Sequence, residues 1–397
     1  MCSQLIIKVV GLIYKLYLTN REGFGDHGNA IYAAGFQIYA LLLTVSSIGV
    51  PNAVSKLVSS RLAVGDNRGG YRIFKVALVL FSFLGFLGSF LLFTGAETIA
   101  VNYLQIPDAE MVLVALSPSI FLVSVASVFR GYFNGRGNLE VTANSQTLEQ
   151  ILKTIFTIAI VNIVAHISSL NVALMAAGAT LATTTATAFS LLSLYICYMN
   201  KRKMLWQETV SSTIHKKESI QKIVKSILLV CVPITATSVL SVATKSIDAV
   251  TVVRILQDQI GEQMAKVQYG MLGGKVDMLI SLPFSFNIAF ATALVPAVSS
   301  YIARGKREQA NKRIELSLLL TMLIGLPAMV IMSMFSEQIL LILFPNAPAG
   351  SEILSLSAMT ILFVVLMQTV NGALQGLRQS FCPRDFSFRR NSYKTYT

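Results

Sequence analysis

Charge is scarce in this chain of 397 residues. Asp, Glu, Lys and Arg make up 13% of it and only 19 residues are acidic, against about a quarter charged in a soluble domain. That excludes an ordinary water-facing surface. Histidine is scarcer still: His27, His166 and His215 lie at loops or helix ends, and no HExxH, phosphate-binding loop, nucleophile elbow or paired-carboxylate motif accompanies them. No catalytic apparatus is visible, and a non-enzymatic role is expected. The four cysteines, Cys2, Cys197, Cys231 and Cys382, show no CxxC spacing or pairing, so a disulfide framework is excluded and buried free thiols are expected at Cys197 and Cys231. No small-residue cleavage site follows the first apolar stretch, so no cleavable signal peptide is expected.

What the chain has in excess is apolar length. It is 54% hydrophobic, with a mean hydropathy of +0.65, and about 20 apolar residues suffice to cross a bilayer. Such windows recur at Ala30–Val50, Val76–Thr94, Met111–Phe129, Ile151–Ala165, Val172–Met199, Ile227–Ala243, Met278–Val298, Ile314–Phe335 and Ile353–Leu374. A β-barrel would alternate over short segments, and no such pattern occurs. Leu5–Leu18, broken by Lys8 and Lys15, reads as the second half of a further helix. The expectation is an all-α polytopic membrane protein with about ten transmembrane helices.

The net charge of +13 invites a nucleic-acid reading until its placement is examined. Basic residues cluster in Lys56–Lys75, Arg130–Lys153, Lys201–Lys225, Arg304–Arg313 and after Gly376, and those alternate loops hold 25 Lys and Arg against 5 in the others. This is the positive-inside pattern. It excludes nucleic acid as a partner and predicts a multi-pass protein of a bacterial-type plasma membrane, with the basic loops and both termini cytoplasmic.

The chain also repeats itself. RGYFNG, Arg130–Gly135, returns as NGALQG, Asn371–Gly376, at an offset of 241. At an offset of 240, Ser59-Ser60 meets Ser299-Ser300, Ala63 meets Ala303 and Gly65 meets Gly305. In both copies a proline element is expected to end a span, with a short basic cytoplasmic helix leading into the next. Two matches in order and at one offset predict two pseudo-symmetric helical bundles: 1–205, and an incomplete 206–380. Transporters are often built from such repeats, with the substrate site between them.

The segments IYALLLTVSSIGVPNAVSKLVSSRLAVGD, YRIFKVAL, SPSIFLVSVASVFRGYFNG and ATALVPAVS resemble the stage V sporulation protein B and polysaccharide transporter group. That group lies within the multidrug/oligosaccharidyl-lipid/polysaccharide flippase superfamily. The resemblance implies a V-shaped pair of bundles of about fourteen spans in all, which moves polyprenyl-pyrophosphate-linked saccharides for cell wall or spore envelope by alternating access. Where the repeat calls for another apolar helix, residues 381–397 are basic and polar. A truncated or frameshifted reading frame is expected there, and with it the alternative of a non-functional fragment.

Ionisable residues inside the membrane are the candidate site, because their burial is costly unless they serve a cavity. Lys15 and Arg254 sit at an offset of 239. They read either as a cationic pair for the pyrophosphate or as anchors that snorkel to the outer interface. Asp248, Lys275 and Asp277 read as sites for a coupling proton or sodium ion, or as charge pairs. Gly131, Gly135, Gly372 and Gly376 read as hinges or as points of close helix packing, and Arg61, Arg68 and Arg136 as contacts to anionic lipid heads. No metal or other cofactor is implied; the expected partners are the bilayer and the polyprenyl-linked saccharide, with the protein a monomer. A cation-coupled multidrug antiporter would need acidic ligands in the first bundle, and Ala30–Val50 and Met111–Phe129 offer none. A membrane glycosyltransferase or ligase would need a catalytic domain outside the membrane, and no loop is long enough for one.

Overall fold

The computed structural model describes residues 2–47, 49–167, 171–210 and 218–381, and every regular element among them is helical. In chain order these are α1 (Cys2–Thr19), α2 (Gly25–Ser47), α3 (Gly49–Leu62), α4 (Asn67–Thr98), α5 (Ala109–Gly135), α6 (Leu139–Ile167) and α7 (Val172–Val210). After them come α8 (Ile220–Ile260), α9 (Glu262–Gly270), α10 (Asp277–Ala303), α11 (Arg307–Met334), α12 (Ser336–Leu343), α13 (Ser351–Ala358) and α14 (Thr360–Phe381). Short π-helical segments, Ile99–Tyr103 and Met271–Val276, extend α4 and join α9 to α10.

Eight helical stretches among the described residues are long and apolar enough to cross a membrane. They fall on α2 with α3, on α4, α5, α6, α7, on the first half of α8, on α11, and on α13 with α14. Each coincides with a window legible in the sequence, and the remaining window lies in α10, whose 27 residues rise about 40 Å. The chain is an all-α polytopic membrane protein.

The helices outrun their apolar windows. α6 begins at Leu139, well before Ile151, and α7 continues to Val210, well past Met199. The basic "loop" from Arg130 to Lys153 therefore shrinks to residues 136–138, and both Arg130 and Lys153 are buried helix residues. A charged residue inside a bundle can be met by neighbouring helices, so hydropathy alone places the helix end too early. The proline elements are also corrected. Pro51 falls in the first turn of α3, where a missing N–H is tolerated, and α10 runs unbroken through Pro296. In the first copy the short basic helix is α3 itself, which contains its proline; in the second no separate helix intervenes between α10 and α11 among the described residues.

By contacts the chain forms two compact units, Cys2–Gly274 and Lys275–Thr397. α8 and α9 belong to the first, where both pack against α2. Within each unit the repeat reappears at equivalent residues. Gly131 of α5 lies so close to α3 that an added Cβ would stand 2.9 Å from the carbonyl oxygen of Pro51. One turn on, a Cβ on Gly135 would stand 2.8 Å from that of Ser55. In the other unit a Cβ added to Gly372 or Gly376 of α14 would stand 2.5 or 2.9 Å from the carbonyl oxygen of Ala291 or Val295 of α10. Those partners are offset by 240 and the glycines by 241, so the same helix crossing is built twice. The turns that follow α3 and α10 match as well. Gly65 and Gly305 have φ of 78° and 73°, a left-handed conformation that favours glycine. The amide after each glycine donates to the carbonyl five residues back, Asp66 to Arg61 and Lys306 to Tyr301, closing the helix end with a Schellman-type bond.

Candidate functional site

Three helices of the first unit bring two lysines into its apolar interior. Lys15 enters from α1 and Lys153 from α6, and they are 7% and 6% exposed. The Lys15 ammonium donates to Asn29 Oδ1 on α2 at 2.7 Å, and the Asn29 amide donates to Thr19 Oγ1 at 3.1 Å. The same ammonium stands 4.6 Å from the centre of the Tyr32 ring. Lys153 stands 4.8 Å from the ring of Tyr14 and 5.1 Å from that of Phe36. Tyr14 and Tyr32 share a hydroxyl contact of 3.4 Å, and Tyr32 stacks on Phe36 at 5.6 Å.

Neither lysine forms an ion pair among the described residues. A cation–π contact contributes about 2 kcal/mol when desolvated, and burial of an ammonium without a counter-charge costs more than that. The two cations are also close enough to repel each other. The carboxylate of Asp26, at the start of α2, attracts Lys15 less than Lys153 repels it. The cluster is roofed by the segment after α9: an added Cβ on Gly274 would stand 2.7 Å from Asn29 Cβ, and one on Gly270 would stand 2.9 Å from the Ala30 nitrogen. Glycine is what lets this segment lie on α2.

One turn before Lys153 on α6, Glu149 meets Arg130 of α5 at 2.7 Å. Arg130 also donates to Ser145 and Ser190, at 3.3 and 3.0 Å, and Thr187 donates to the carboxylate at 3.1 Å. This carboxylate inside the first bundle is therefore already neutralised. The second unit holds a polar knot without charge. The Asn287 amide donates to Val365 O at 2.8 Å, Thr321 donates to Asn287 Oδ1 at 2.9 Å, and Thr321 and Thr369 share a hydroxyl contact of 2.6 Å. Its members bond to one another, so it reads as a clasp between α10, α11 and α14.

The structure treats the sequence candidates unequally. Lys15 is in the buried cluster, whereas Arg254 is exposed and donates to the carbonyl of Asn102 at 3.2 Å; no hydrogen bond joins the two. Lys275 is fully buried, its ammonium held by the carbonyls of Ala347 and Ala349 at 2.7 Å each and lying 5.9 Å from the Phe344 ring. It ties the segment after α12 to the start of α10. Asp277 opens α10 and is half-buried. The Asp248 side chain and residues 382–397 lie outside the described residues.

The arginines expected at lipid heads are engaged within the protein. Arg61 pairs with Glu218 at 2.5 Å, Arg136 pairs with Glu208, and Arg68 donates to the carbonyl of Thr209 at 2.9 Å. Together they fasten the end of α7 and the residues just before α8 to α3, α4 and the end of α5. Sequence reasoning missed Lys153, Glu149, Asn29 and the tyrosines. One signal was available: Glu149, Lys153, Thr157, Val161 and Ala165 recur every four residues, so the polar members share a face with the apolar ones.

The family "Polysaccharide biosynthesis protein" matches residues 1–302, and the MatE family matches residues 272–381. Stage V sporulation protein B of Bacillus subtilis (strain 168) is 25% identical over 356 residues, 88% of this chain and 66% of that protein. Lipid II flippase MurJ of the same organism is 24% identical over 389 residues, 94% of this chain and 71% of that protein. The chain thus spans about two thirds of the length of these relatives. Among solved structures, an inward-facing multidrug resistance MATE family transporter of the MOP superfamily shares the fold. Its TM-score is 0.72 at 15% identity, covering 94% of this chain and 82% of that one. A MOP superfamily transporter from Pyrococcus furiosus, described with a binding pocket of reverse polarity, has a TM-score of 0.56 at 16% identity, covering 96% of this chain and 84% of that one.

Proposed function

Because the chain belongs to the polysaccharide biosynthesis protein family, we propose that it carries a polyprenyl-pyrophosphate-linked saccharide across a bacterial plasma membrane by alternating access. One observation supports this reading above the others. Glu149, a carboxylate within the first bundle, is neutralised by Arg130, while Lys15 and Lys153 are buried and form no ion pair among the described residues. A cationic drug would meet repulsion there. A pyrophosphate head group would be attracted, accepting charge-assisted hydrogen bonds from both ammonium groups. Access then requires the roof at Gly270–Gly274 to lift from α2 or α1 to part from α6. In this reading Arg254 meets the head group at the outer end, and Asp248 or Asp277 takes up a coupling proton or sodium ion. The description of the family, polysaccharide biosynthesis protein, and a relative named as a lipid II flippase support the cargo class.

Binding of a polyprenyl pyrophosphate to the purified protein tests the site directly. A hydrogen bond to a charged group contributes about 1.5–3 kcal/mol. Lys15→Ala and Lys153→Ala should therefore each weaken binding roughly 10- to 100-fold, while the polyprenyl alcohol binds all variants alike. Equal affinity in both variants and the parent would remove the lysines from the site. In a flippase-deficient strain, Lys15→Ala and Arg254→Ala should each impair complementation with membrane insertion intact, and Arg21→Ala should be nearly silent. Arg254→Lys should be more harmful than Lys15→Arg, because Lys cannot reproduce the bidentate fork of Arg. The orientation has its own test: Asp108→Cys, exposed before α5, should react with an impermeant thiol reagent in intact cells, and protection would invert the topology.

A further inference from the structure

A cavity of about 550 Å³ lies between the N-terminal part of α4 and the C-terminal part of α7, lined by Tyr71, Lys75, Tyr198, Arg202, Lys203 and Trp206. Its size is that of a small-molecule site. Three of its residues are cations and three are aromatic residues with a polar edge. Tyr71 and Tyr198 share a hydroxyl contact of 3.1 Å, and Lys75 stands 4.8 Å from the Tyr71 ring. Two nearby arginines are paired with carboxylates, Arg61 with Glu218 and Arg136 with Glu208. Lys75, Arg202 and Lys203 form no ion pair among the described residues, and all three are exposed. The cavity brings these three cations together.

The helices that carry those cations continue away from the cavity as apolar stripes. On α4, Lys75 is followed on the same face by the exposed Val79, Phe83, Phe86 and Phe90, at the three- and four-residue steps that align side chains along a helix. On α7, Lys203 is preceded on its face by the exposed Met199, Ile196 and Leu192. A ligand that fits must therefore carry an anionic head and long apolar tails. Tryptophan and tyrosine at the rim suit the depth of the membrane interface, and basic pockets between helices on the cytoplasmic side suit anionic lipid heads.

We propose that this basic–aromatic cavity between α4 and α7 is a binding site for the phosphodiester head of an anionic phospholipid, whose acyl chains lie along the apolar stripes of the two helices. A free phosphate would satisfy the cations and leave the stripes unused. The site is separate from Lys15 and Lys153 in residues and helices, and it would tether the first unit to the anionic leaflet while the cargo site works.

Trp206 is the one tryptophan in the chain, so its fluorescence reports this cavity alone. The full chain is placed in nanodiscs of phosphatidylcholine containing increasing fractions of dibrominated phosphatidylglycerol or, separately, dibrominated phosphatidylcholine. Quenching by the anionic lipid should saturate, with half-quenching at a mole fraction at least about tenfold lower than for the zwitterionic lipid, since each basic residue near the surface favours an anionic lipid about fivefold. The variant Lys75→Gln, Arg202→Gln, Lys203→Gln should quench equally with both lipids. Equal quenching of the parent by the two lipids, or a preference that survives the triple substitution, overturns the proposal. In a third arm, soluble glycerol phosphate is added to the protein in zwitterionic nanodiscs. Suppression of quenching only at concentrations far above that of the lipid supports the lipid site, whereas a Trp206 response equal to the lipid's makes the ligand a free phosphate and overturns it.

Discussion

Arg130→Ala should yield little folded protein, and pairing it with Glu149→Leu should restore much of the loss. Arg130 reaches from α5 to Glu149 and Ser145 of α6 and to Ser190 of α7, so one side chain fastens three helices. Removing one partner of a buried ion pair costs about 3–5 kcal/mol, because the other charge is left unpaired in a low-dielectric interior. That is comparable with the whole stability of many folded domains. Replacing both partners by apolar groups removes the desolvation cost along with the attraction and is often neutral. Thermal unfolding of the purified variants in detergent checks the order: parent, then the double variant, then Glu149→Gln, with Arg130→Ala lowest. The double substitution changes no net charge, so it should still bind a polyprenyl pyrophosphate through Lys15 and Lys153. If it folds well but binds nothing, the pair belongs to the cargo site and its role is more than fastening.

How much of this was legible beforehand depends on the kind of interaction. The spans were readable because each apolar window exceeds what a bilayer needs, and the repeat because glycine at a close crossing cannot be replaced without cost. Gly131 and Gly372 announce the same contact 241 residues apart. The candidate site was half legible. Lys15 stood out as a charge in an apolar stretch, but Lys153 is 138 positions later and looked like part of a basic loop. Its burial depends on α6 beginning at Leu139, which polar residues such as Thr142 and Ser145 disguise because they face Asn134 and Arg130 across the bundle. The notion of a Lys15–Arg254 pair came from the offset, which places residues at equivalent points along helices but says nothing of depth. Arg254 faces outward onto a carbonyl of the segment after α4, while Lys15 faces in.

Gly131→Ala and Gly372→Ala should both lower the unfolding temperature by several degrees, with Gly372→Ala the worse of the two. In each case the new methyl group would press on the backbone of a packed helix, which cannot give as a side-chain tip can. For Gly131 the obstacle is the Pro51 carbonyl oxygen at 2.9 Å, and for Gly372 the Ala291 carbonyl oxygen at 2.5 Å. Overpacking of this kind costs about 1–3 kcal/mol, which outweighs the roughly 0.8–1.0 kcal/mol that alanine contributes to a helix interior relative to glycine. Gly88→Ala is the internal control: its added methyl would find only Ile120 Cγ2 at 3.4 Å, so the propensity gain should leave stability unchanged or slightly raised. The experiment also separates the two roles these glycines could have. A hinge needs freedom of the backbone and tolerates a methyl group in the resting state, so alanine would leave the unfolding temperature intact and slow transport. A close crossing tolerates neither. A fall in stability at both positions, in the order given by the two distances, assigns the repeated glycines to packing and makes each bundle a body that moves as a unit; unchanged stability with lost transport would assign them to bending within the helix.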